Sequence, residues 1–317
     1  MSSLMVLNTR RVAVIAVAAF LTACSAPSLE STSPQPGAVD LTPAELSDGW
    51  AVGAPADAGF DTEALMELTA SVGAGGYPNT HAVLIESDGR LVYEQYFTGT
   101  DERWGESLGE VDFDRESLHD LRSISKSVTA ALLGIALGQD FEDAVNTPAA
   151  SYLGLDGTAS GVMLHHVLTM TAGLAWNEMD VAYTDVLNDE IHLYEVDNPA
   201  QYVLTRPAVA DPGTSWYYSG GLTQVLATIV HERTGQRLDE YARDSLFAPL
   251  GINDFEWLGP GSWKPDDPAA MSGLRLRARD LAKLGSTYLH RGRWNGTQVV
   301  PDAWVSRSMT RHVAEIA

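Results

Sequence analysis

The chain has 317 residues, of which 45% are hydrophobic and 20% charged, a composition typical of a globular protein with an apolar core. Its formal net charge is -22. A strongly acidic chain lacks the basic surface that nucleic-acid binding requires, so we expect no nucleic-acid partner. The acidic charge indicates a well-solvated surface and carries no information about the fold.

The first 23 residues have the features of an export signal. Arg10 and Arg11 precede an apolar stretch over residues 12–21, which is too short to cross a bilayer. The stretch leads into Leu-Thr-Ala-Cys, which resembles a bacterial lipobox and ends in Cys24, the only cysteine of the chain. Because a lone cysteine cannot form an internal disulfide, we predict that it carries a lipid. The alternative is an ordinary cleaved signal with an incidental cysteine.

This N-terminus predicts an exported bacterial lipoprotein of the cell envelope, attached to the membrane through lipid on Cys24. We divide the chain into a lipoprotein signal peptide (residues 1–23), a flexible tether (24–48) and a globular domain (49–317). The tether is predicted because its composition is rich in Ser, Pro and Ala and has no periodicity. Ser25 after the cysteine, rather than Asp, resembles the sorting signal for the outer membrane, and the periplasmic face is the alternative.

The first part of the globular domain combines helix and strand signals. Apolar residues at helical spacing after an acidic start predict a helix over residues 61–71. Two β-rich runs, 82–86 and 91–97, flank an Asp-Gly dipeptide that is typical of a tight hairpin turn. Residues 98–117 are polar and acidic, and we expect a surface loop there. Helices dominate beyond the hairpin, and the strongest periodicities lie at 221–234, 238–246 and 278–289.

Ser123 and Lys126 form an S-x-x-K pattern directly before an apolar run with helical spacing, 128–137. Residues three apart lie on one face of a helix, so the lysine amine can reach the serine hydroxyl. A lysine among apolar neighbours can act as the base that activates a serine nucleophile. The positive end of a helix would favour an oxyanion there. The pattern alone is common by chance, and a helix start followed by a surface lysine is the alternative.

A second pattern, Tyr218-Ser219-Gly220, precedes the predicted helix at 221–234. Together, S-x-x-K and Y-S-x resemble the serine β-lactamase and penicillin-recognising superfamily. More narrowly, the chain resembles the class C-like serine hydrolases, which include esterases, D-aminopeptidases and 6-aminohexanoate-dimer hydrolases. Further stretches that fit this group occur in the expected order, at residues 164–174, 247–252, 273–285 and 294–304.

The resemblance implies an α/β (α+β) fold of the β-lactamase/transpeptidase type over residues 49–317. An antiparallel sheet flanked by helices would pack on an all-helical lobe, with Ser123 in the cleft. Ser123 would be the nucleophile, Lys126 the base or its electrostatic support, and Tyr218 the proton shuttle to the leaving group. The implied reaction is hydrolysis of a small ester or amide through an acyl-serine intermediate. The resemblance implies no metal and no cofactor.

Two departures from the family pattern shape the functional expectation. Gly220 stands where the Y-x-N pattern has Asn, which favours an esterase or amidase over a true β-lactamase. After Tyr218 we recognise no third motif, Lys-Thr-Gly or His-x-Gly, which lies on a strand in the family and supplies the second oxyanion donor. We therefore expect the C-terminal sheet strands to be missing and the 82–97 hairpin to lack its sheet partners. Losing one oxyanion donor costs about a hundred- to a thousandfold in rate.

The alternative function is a catalytically inactive, truncated envelope lipoprotein that only binds a peptide or cell-wall ligand. Trp176 and Tyr217 are candidates to line a substrate site, although Trp176 follows an apolar run and could equally belong to the core. Tyr218 rather than Tyr217 is the predicted shuttle, because it directly precedes the serine. For His165 and His166 we expect packing or capping roles rather than metal binding, because no second ligand cluster lies nearby.

Overall fold

The computed structural model describes residues 12–16, 40–155, 159 and 161–314. Cys24 and most of the predicted signal peptide and tether lie outside these residues. In the described part of the chain, no helix combines the length and the apolar composition that crossing a membrane requires.

The described residues form short strands and helices of very different lengths. The strands are β1 (Val12–Ala16), β2 (Ala51–Val52), β3 (Ala82–Ser87), β4 (Arg90–Tyr96), β5 (Thr98–Arg103), β6 (Glu106–Asp112), β7 (Leu118–Asp120), β8 (Glu256–Trp257), β9 (Leu274–Arg277), β10 (Arg293–Trp294) and β11 (Thr297–Gln298). The α-helices are α1 (Thr62–Gly73), α2 (Ile124–Leu137), α3 (Phe141–Ala144), α4 (Leu164–Leu168), α5 (Asp189–His192), α6 (Pro199–Leu204), α7 (Gly220–Thr234), α8 (Leu238–Ala242), α9 (Ala278–Leu289) and α10 (Asp302–Ser308).

These elements divide into two compact units. The first comprises residues 1–119 with 277–289, and the second comprises residues 120–276 with 290–317. The first unit contains a four-stranded sheet together with α1 and α9, and the second is mainly helical. The predicted combination of a sheet with helices and a mainly helical part is therefore confirmed.

The sheet of the first unit is built around the β3–β4 hairpin. Its turn residues, Asp88 and Gly89, have φ of 50° and 79°, which is the conformation that the Asp-Gly dipeptide predicts. β1 pairs antiparallel with β3, and β2 pairs parallel with β4. The expectation that the hairpin lacks sheet partners is therefore wrong, because extended segments earlier in the chain bind both of its edges. β1 lies within the predicted signal peptide, which itself stays a prediction.

The core of the first unit lies between the hairpin and α1. Asp61 caps α1 by accepting hydrogen bonds from the backbone N–H groups of its first turn, so the predicted helix is confirmed. Leu65 from α1 packs with Val83 and Ile85 from β3. Leu41 joins the same cluster and is 7% exposed. The packed unit therefore begins before residue 49, earlier than the predicted end of the tether.

A buried arginine joins α9 to two other parts of the first unit. Arg279 is 3% exposed and forms ion pairs of 2.8 Å with both Asp48 and Glu94. A buried charge without such partners would be strongly destabilising, so these two carboxylates are structural. Asp48 links the segment before β2 to α9, and Glu94 links β4 to the same helix.

Residues 98–117 are not the loop that their polar composition suggested. β5 and β6 form an antiparallel hairpin, and Trp104 and Gly105 at its turn have φ of 50° and 90°. Most side chains of both strands are exposed or half-exposed. Because neither face is buried, the sequence has none of the apolar alternation that marks a half-buried strand, and the prediction of a loop was wrong.

Helix α7 forms the centre of the second unit. Every residue from Gly220 to Val230 is buried, and the helix is in contact with α2, α4 and α6. Ser219 caps its start, and Gly235 ends it with φ of 71°, as the sequence predicted. The helix predicted at 238–246 is shorter, because α8 ends at Ala242 and continues as a π-helical turn.

Helix α2 packs tightly against a residue from the end of the described chain. A Cβ atom added at Gly134 would lie 2.4 Å from the indole of Trp304, which is 3% exposed and also meets Phe141 edge-on. The ring therefore occupies the space that any larger residue at position 134 would need. Glycine is required there for packing, not for its backbone conformation.

We expect Gly134→Ala to lower the free energy of unfolding by about 1–3 kcal/mol, because a close-packed core must move to admit the methyl group. Urea denaturation followed by circular dichroism measures this change. Gly73→Ala in α1 is the matched control, since a Cβ there meets nothing within 4 Å and alanine favours a helix. Equal effects of the two substitutions would contradict the assigned packing.

Candidate active site

Ser123 lies immediately before α2 and presents its side chain to solvent. It occupies the N-cap position but makes no capping hydrogen bond, so its hydroxyl is available for other partners. The preceding residue, Arg122, has φ of 45°, an uncommon conformation for a residue other than glycine. Val128 and Leu132 are buried and hold α2 in place. The serine is thus an exposed group on a well-anchored helix.

Lys126 is one turn further along α2, and its amine contacts Ser123 as the spacing predicted. Nζ donates to Ser123 Oγ at 3.1 Å and to the backbone carbonyl of Met271 at 3.0 Å. The same nitrogen lies 4.8 Å from the centre of the Tyr218 ring. The lysine is half-buried. Its amine is therefore fixed between the serine, a tyrosine face and a backbone acceptor.

Tyr218, and not Tyr217, contacts the serine. The hydroxyl of Tyr218 donates to Ser123 Oγ at 2.7 Å. The hydroxyl of Tyr217 instead donates to Asp180 at 2.7 Å, and burial, followed by this carboxylate, raises the pKa of Tyr217. The structure thus brings Ser123, Lys126 and Tyr218 together and places Tyr217 in a different contact.

Trp176 packs against the start of α7. Its indole N–H donates to Glu178 at 2.7 Å, and a Cβ added at Gly221 would lie 2.6 Å from its ring. Both contacts are those of a packing residue. The predicted role in lining a substrate site stays a prediction.

Sequence reasoning missed two carboxylic acids close to this tryptophan. Glu178 is completely buried and accepts a hydrogen bond from the backbone N–H of Gly220 at 2.7 Å. Glu190 is 8% exposed, and its Oε2 would lie 2.3 Å from a Cβ added at Gly220. No local motif marks either residue, because their relation to Tyr218 arises only when the loop before α5 folds against α7.

His165 and His166 make backbone contacts. The Nδ1 atom of His165 lies 3.2 Å from the carbonyl of Val145, and Nδ1 of His166 accepts the N–H of Met163 at 3.1 Å. Burial, followed by His165, lowers the pKa of His166. Within the described residues, no group of three or more His, Cys, Asp or Glu side chains is arranged to hold a metal ion.

One stretch matches the letters of the family's third motif and was not recognised in the sequence. His290-Arg291-Gly292 reads His-x-Gly, but it lies in the turn between α9 and β10, not on a strand. Gly292 has φ of 82°, and its carbonyl accepts the N–H groups of Val299 and Val300. This stretch therefore joins the two chain segments at the base of the β10–β11 hairpin.

Within the second unit, the site thus contains a serine oxygen in direct contact with an amine and a phenol. An adjacent proton acceptor is what a serine needs to become a nucleophile. Comparison with known proteins identifies the family of the chain. The family model described as Beta-lactamase matches residues 62–314. The chain belongs to the β-lactamase family.

Individual relatives and solved structures extend the comparison. Esterase EstB from Burkholderia gladioli is 30% identical over 231 residues, which cover 68% of this chain and 55% of the esterase. A Bacillus anthracis protein, provisionally described as a 6-aminohexanoate-dimer hydrolase, superposes with a TM-score of 0.58 at 21% identity, covering 77% of this chain and 61% of that chain. A penicillin-binding protein homologue from Pyrococcus abyssi gives a TM-score of 0.58 at 19% identity, with 80% and 61% covered.

These structural similarities confirm the predicted β-lactamase/transpeptidase-like fold. The chain spans 55% of the length of the esterase and 61% of each of the two structures.

The two adjacent tyrosines of this β-lactamase-family site provide a matched test. Tyr218→Phe removes the hydroxyl that contacts Ser123, and we expect hydrolysis of a chromogenic ester to fall by about a hundredfold or more, the usual contribution of a proton-transfer group. Tyr217→Phe removes the hydroxyl that donates to Asp180, leaves the contact of Tyr218 with Ser123 in place and should retain most of the rate. Steady-state kinetics of both variants measures the difference, and an equal loss in both would reject the assignment of Tyr218.

Proposed function

We propose that this protein is a serine hydrolase that cleaves an ester or amide bond through an acyl-serine intermediate. Ser123 is the nucleophile, Lys126 the base and Tyr218 the proton shuttle. The observation that carries the proposal is that Ser123 Oγ lies 3.1 Å from the amine of Lys126 and 2.7 Å from the hydroxyl of Tyr218. Two groups able to accept or donate a proton thus contact one exposed serine.

The geometry supports a defined order of proton transfers. As Ser123 Oγ attacks the substrate carbonyl, its proton passes to the uncharged amine of Lys126, and the resulting ammonium replaces the proton that the phenol of Tyr218 gives up in the next step. When the acyl-serine forms, Tyr218 returns the proton to the departing alcohol or amine. Water then enters by the reverse sequence and releases the acid. Both proton carriers lie within hydrogen-bond distance of the same serine oxygen.

An ester is the favoured substrate class. Gly220 has no side chain where the family pattern has Asn, and the relative EstB is named as an esterase. We therefore propose that activity on small esters exceeds activity on β-lactams. The alternative is an inactive envelope protein that binds a peptide or cell-wall fragment. The labelling experiment below distinguishes it from the enzyme.

A fluorophosphonate probe tests the nucleophile. We expect the protein to become covalently labelled, with the adduct on the tryptic peptide that carries Ser123, because the probe requires an activated serine. Ser123→Ala should abolish the label. Ser127→Ala is the matched control, since this exposed serine is on the same helix, one turn further on, and should leave labelling unchanged.

Failure to label the wild type, or equal labelling of Ser123→Ala, would reject the hydrolase. Binding of a cell-wall peptide without turnover in the same preparation would then support the alternative.

We also propose that the protein is a lipoprotein anchored through Cys24, because this cysteine ends a stretch with lipobox features. Two acyl chains on one residue anchor a protein stably, whereas a single chain binds only marginally. Membrane fractionation should place the wild type with the membrane and Cys24→Ala in the soluble fraction or as uncleaved precursor. A wild type that is wholly soluble, with a mature mass lacking any lipid, would instead establish plain secretion.

A further inference from the structure

The segment that leads into β9, residues 268–273, contains no helix or strand and is bound by a buried side chain of α7. This side chain belongs to Gln224, which is 1% exposed. Its amide nitrogen donates to the carbonyl of Pro268 at 3.3 Å, and its amide oxygen accepts the backbone N–H of Ala270 at 3.0 Å. Because both ends of the amide bind the main chain, Gln224 fixes the course of the backbone in the 268–273 segment.

Thr129 of α2 binds the same residue of the segment. It is completely buried, and its hydroxyl donates to the carbonyl of Ala270 at 3.1 Å. Both backbone polar groups of Ala270 are thus bonded to side chains, the N–H to α7 and the carbonyl to α2. One turn earlier on α2, Ser125 accepts the N–H of Leu274, the residue directly after the segment, at 3.3 Å. Together with main-chain bonds to Leu258, these contacts locate the segment.

The next residue of the segment contacts the lysine of the candidate active site. Met271 directly follows Ala270, is completely buried, and accepts a hydrogen bond from Lys126 Nζ at its carbonyl, at 3.0 Å. A carbonyl oxygen can only accept, so it always binds one hydrogen of the amine. The uncharged amine has two hydrogens and one lone pair. With one hydrogen held by Met271, rotation of the amine is restricted, and its lone pair can face Ser123 Oγ, 3.1 Å away.

We propose that Gln224 and Thr129 are positioning residues of the candidate active site. By fixing the backbone of the 268–273 segment, they hold the Met271 carbonyl against the amine of Lys126. This inference rests on the proposed hydrolase function. The serine proton passes to the amine only while the lone pair points along the 3.1 Å contact, so a displaced carbonyl lowers the rate of proton transfer. The two positioning residues transfer no proton themselves and act through Lys126.

The first test is the rate at which the fluorophosphonate probe labels Ser123. Gln224→Met removes both bonds to the 268–273 segment and keeps an unbranched side chain of similar length. We expect its labelling rate to fall about tenfold, because the amine loses its fixed orientation. Thr129→Val, which lacks only the hydroxyl bond, should lower the rate in the same direction. Thr228→Val is the matched control, since this buried threonine lies one turn further along α7 and donates to a carbonyl of the helix itself. Its rate should equal that of the wild type.

Repeating the measurement in Lys126→Ala distinguishes a positioning role from a merely structural one. If Gln224 acts through the lysine amine, adding Gln224→Met to Lys126→Ala causes no further loss of labelling rate. A merely structural role would loosen the whole site and lower the rate by the same factor in both backgrounds. Equal losses in the two backgrounds overturn the inference. An unchanged rate in the single variant Gln224→Met overturns it as well, while leaving the hydrolase intact.

The second test needs no enzyme activity. Crystal structures of the wild type and of the variants measure the distance from Lys126 Nζ to the Met271 carbonyl oxygen directly. The wild type and Thr228→Val should keep the hydrogen bond, which is 3.0 Å long here. In Gln224→Met we expect the distance to exceed about 3.5 Å, beyond the range of a hydrogen bond. An unchanged distance in Gln224→Met overturns the inference.

The two tests separate the possible failures. If Ser123 of the wild type takes no label, the hydrolase proposal is rejected, and the crystal structures still decide whether Gln224 holds the carbonyl against Lys126. If Gln224→Met does not fold, Thr129→Val takes its place in both tests, with the same outcomes. If Lys126→Ala labels too slowly to be measured, the distance in the crystal structures decides alone.

Discussion

The hydrogen bond from the backbone N–H of Gly220 to Glu178, at 2.7 Å, fixes the start of the helix on which the second unit is built. A buried carboxylate costs several kcal/mol to desolvate and is retained only where donors surround it. Here those donors come from Trp176, Tyr183 and α7 itself. Because Tyr218 is two residues before Gly220, the same contact determines where the phenol meets the serine. The relative position of the Ser123 and Tyr218 hydroxyls therefore depends on Glu178 as well.

Local rules accounted for the elements whose sequences carry local signals. The Asp-Gly hairpin turn, the capped α1, the glycine that ends α7 and the bounds of α9 all follow from preferences that act over a few residues. The prediction of a loop at residues 98–117 was wrong because the segment forms a hairpin with no buried face. The sequence of such a hairpin shows no alternation of apolar and polar residues. Leu41 belongs to the core although the stretch before it resembles a tether, since packing with residues far along the chain decides its burial.

The residues of the candidate site also fall into those that the sequence predicted and those that only the folded structure reveals. Ser123 and Lys126 are one helical turn apart, so a spacing rule suffices to bring them together, and the resemblance to the β-lactamase family supplied Tyr218. Met271, Glu178 and Glu190 were out of reach of such reasoning. Each approaches the site through tertiary folding, across intervals in which no repeat or motif links them to the serine. Motifs thus predict the candidate reacting residues, whereas the residues packed behind them are found only in three dimensions.

The packing of Trp304 over Gly134 has a consequence for the order in which the protein matures. The helix that begins beside Ser123 is covered by a residue about 180 positions later in the chain. At the usual rates of translation the ribosome needs about 10–40 s to traverse that interval. During this time the Ser123 hydroxyl and the Lys126 amine are already present at the start of α2, but Trp304 does not yet cover the helix at Gly134. The flank of α2 at Gly134 can therefore close only after the chain has been made as far as Trp304.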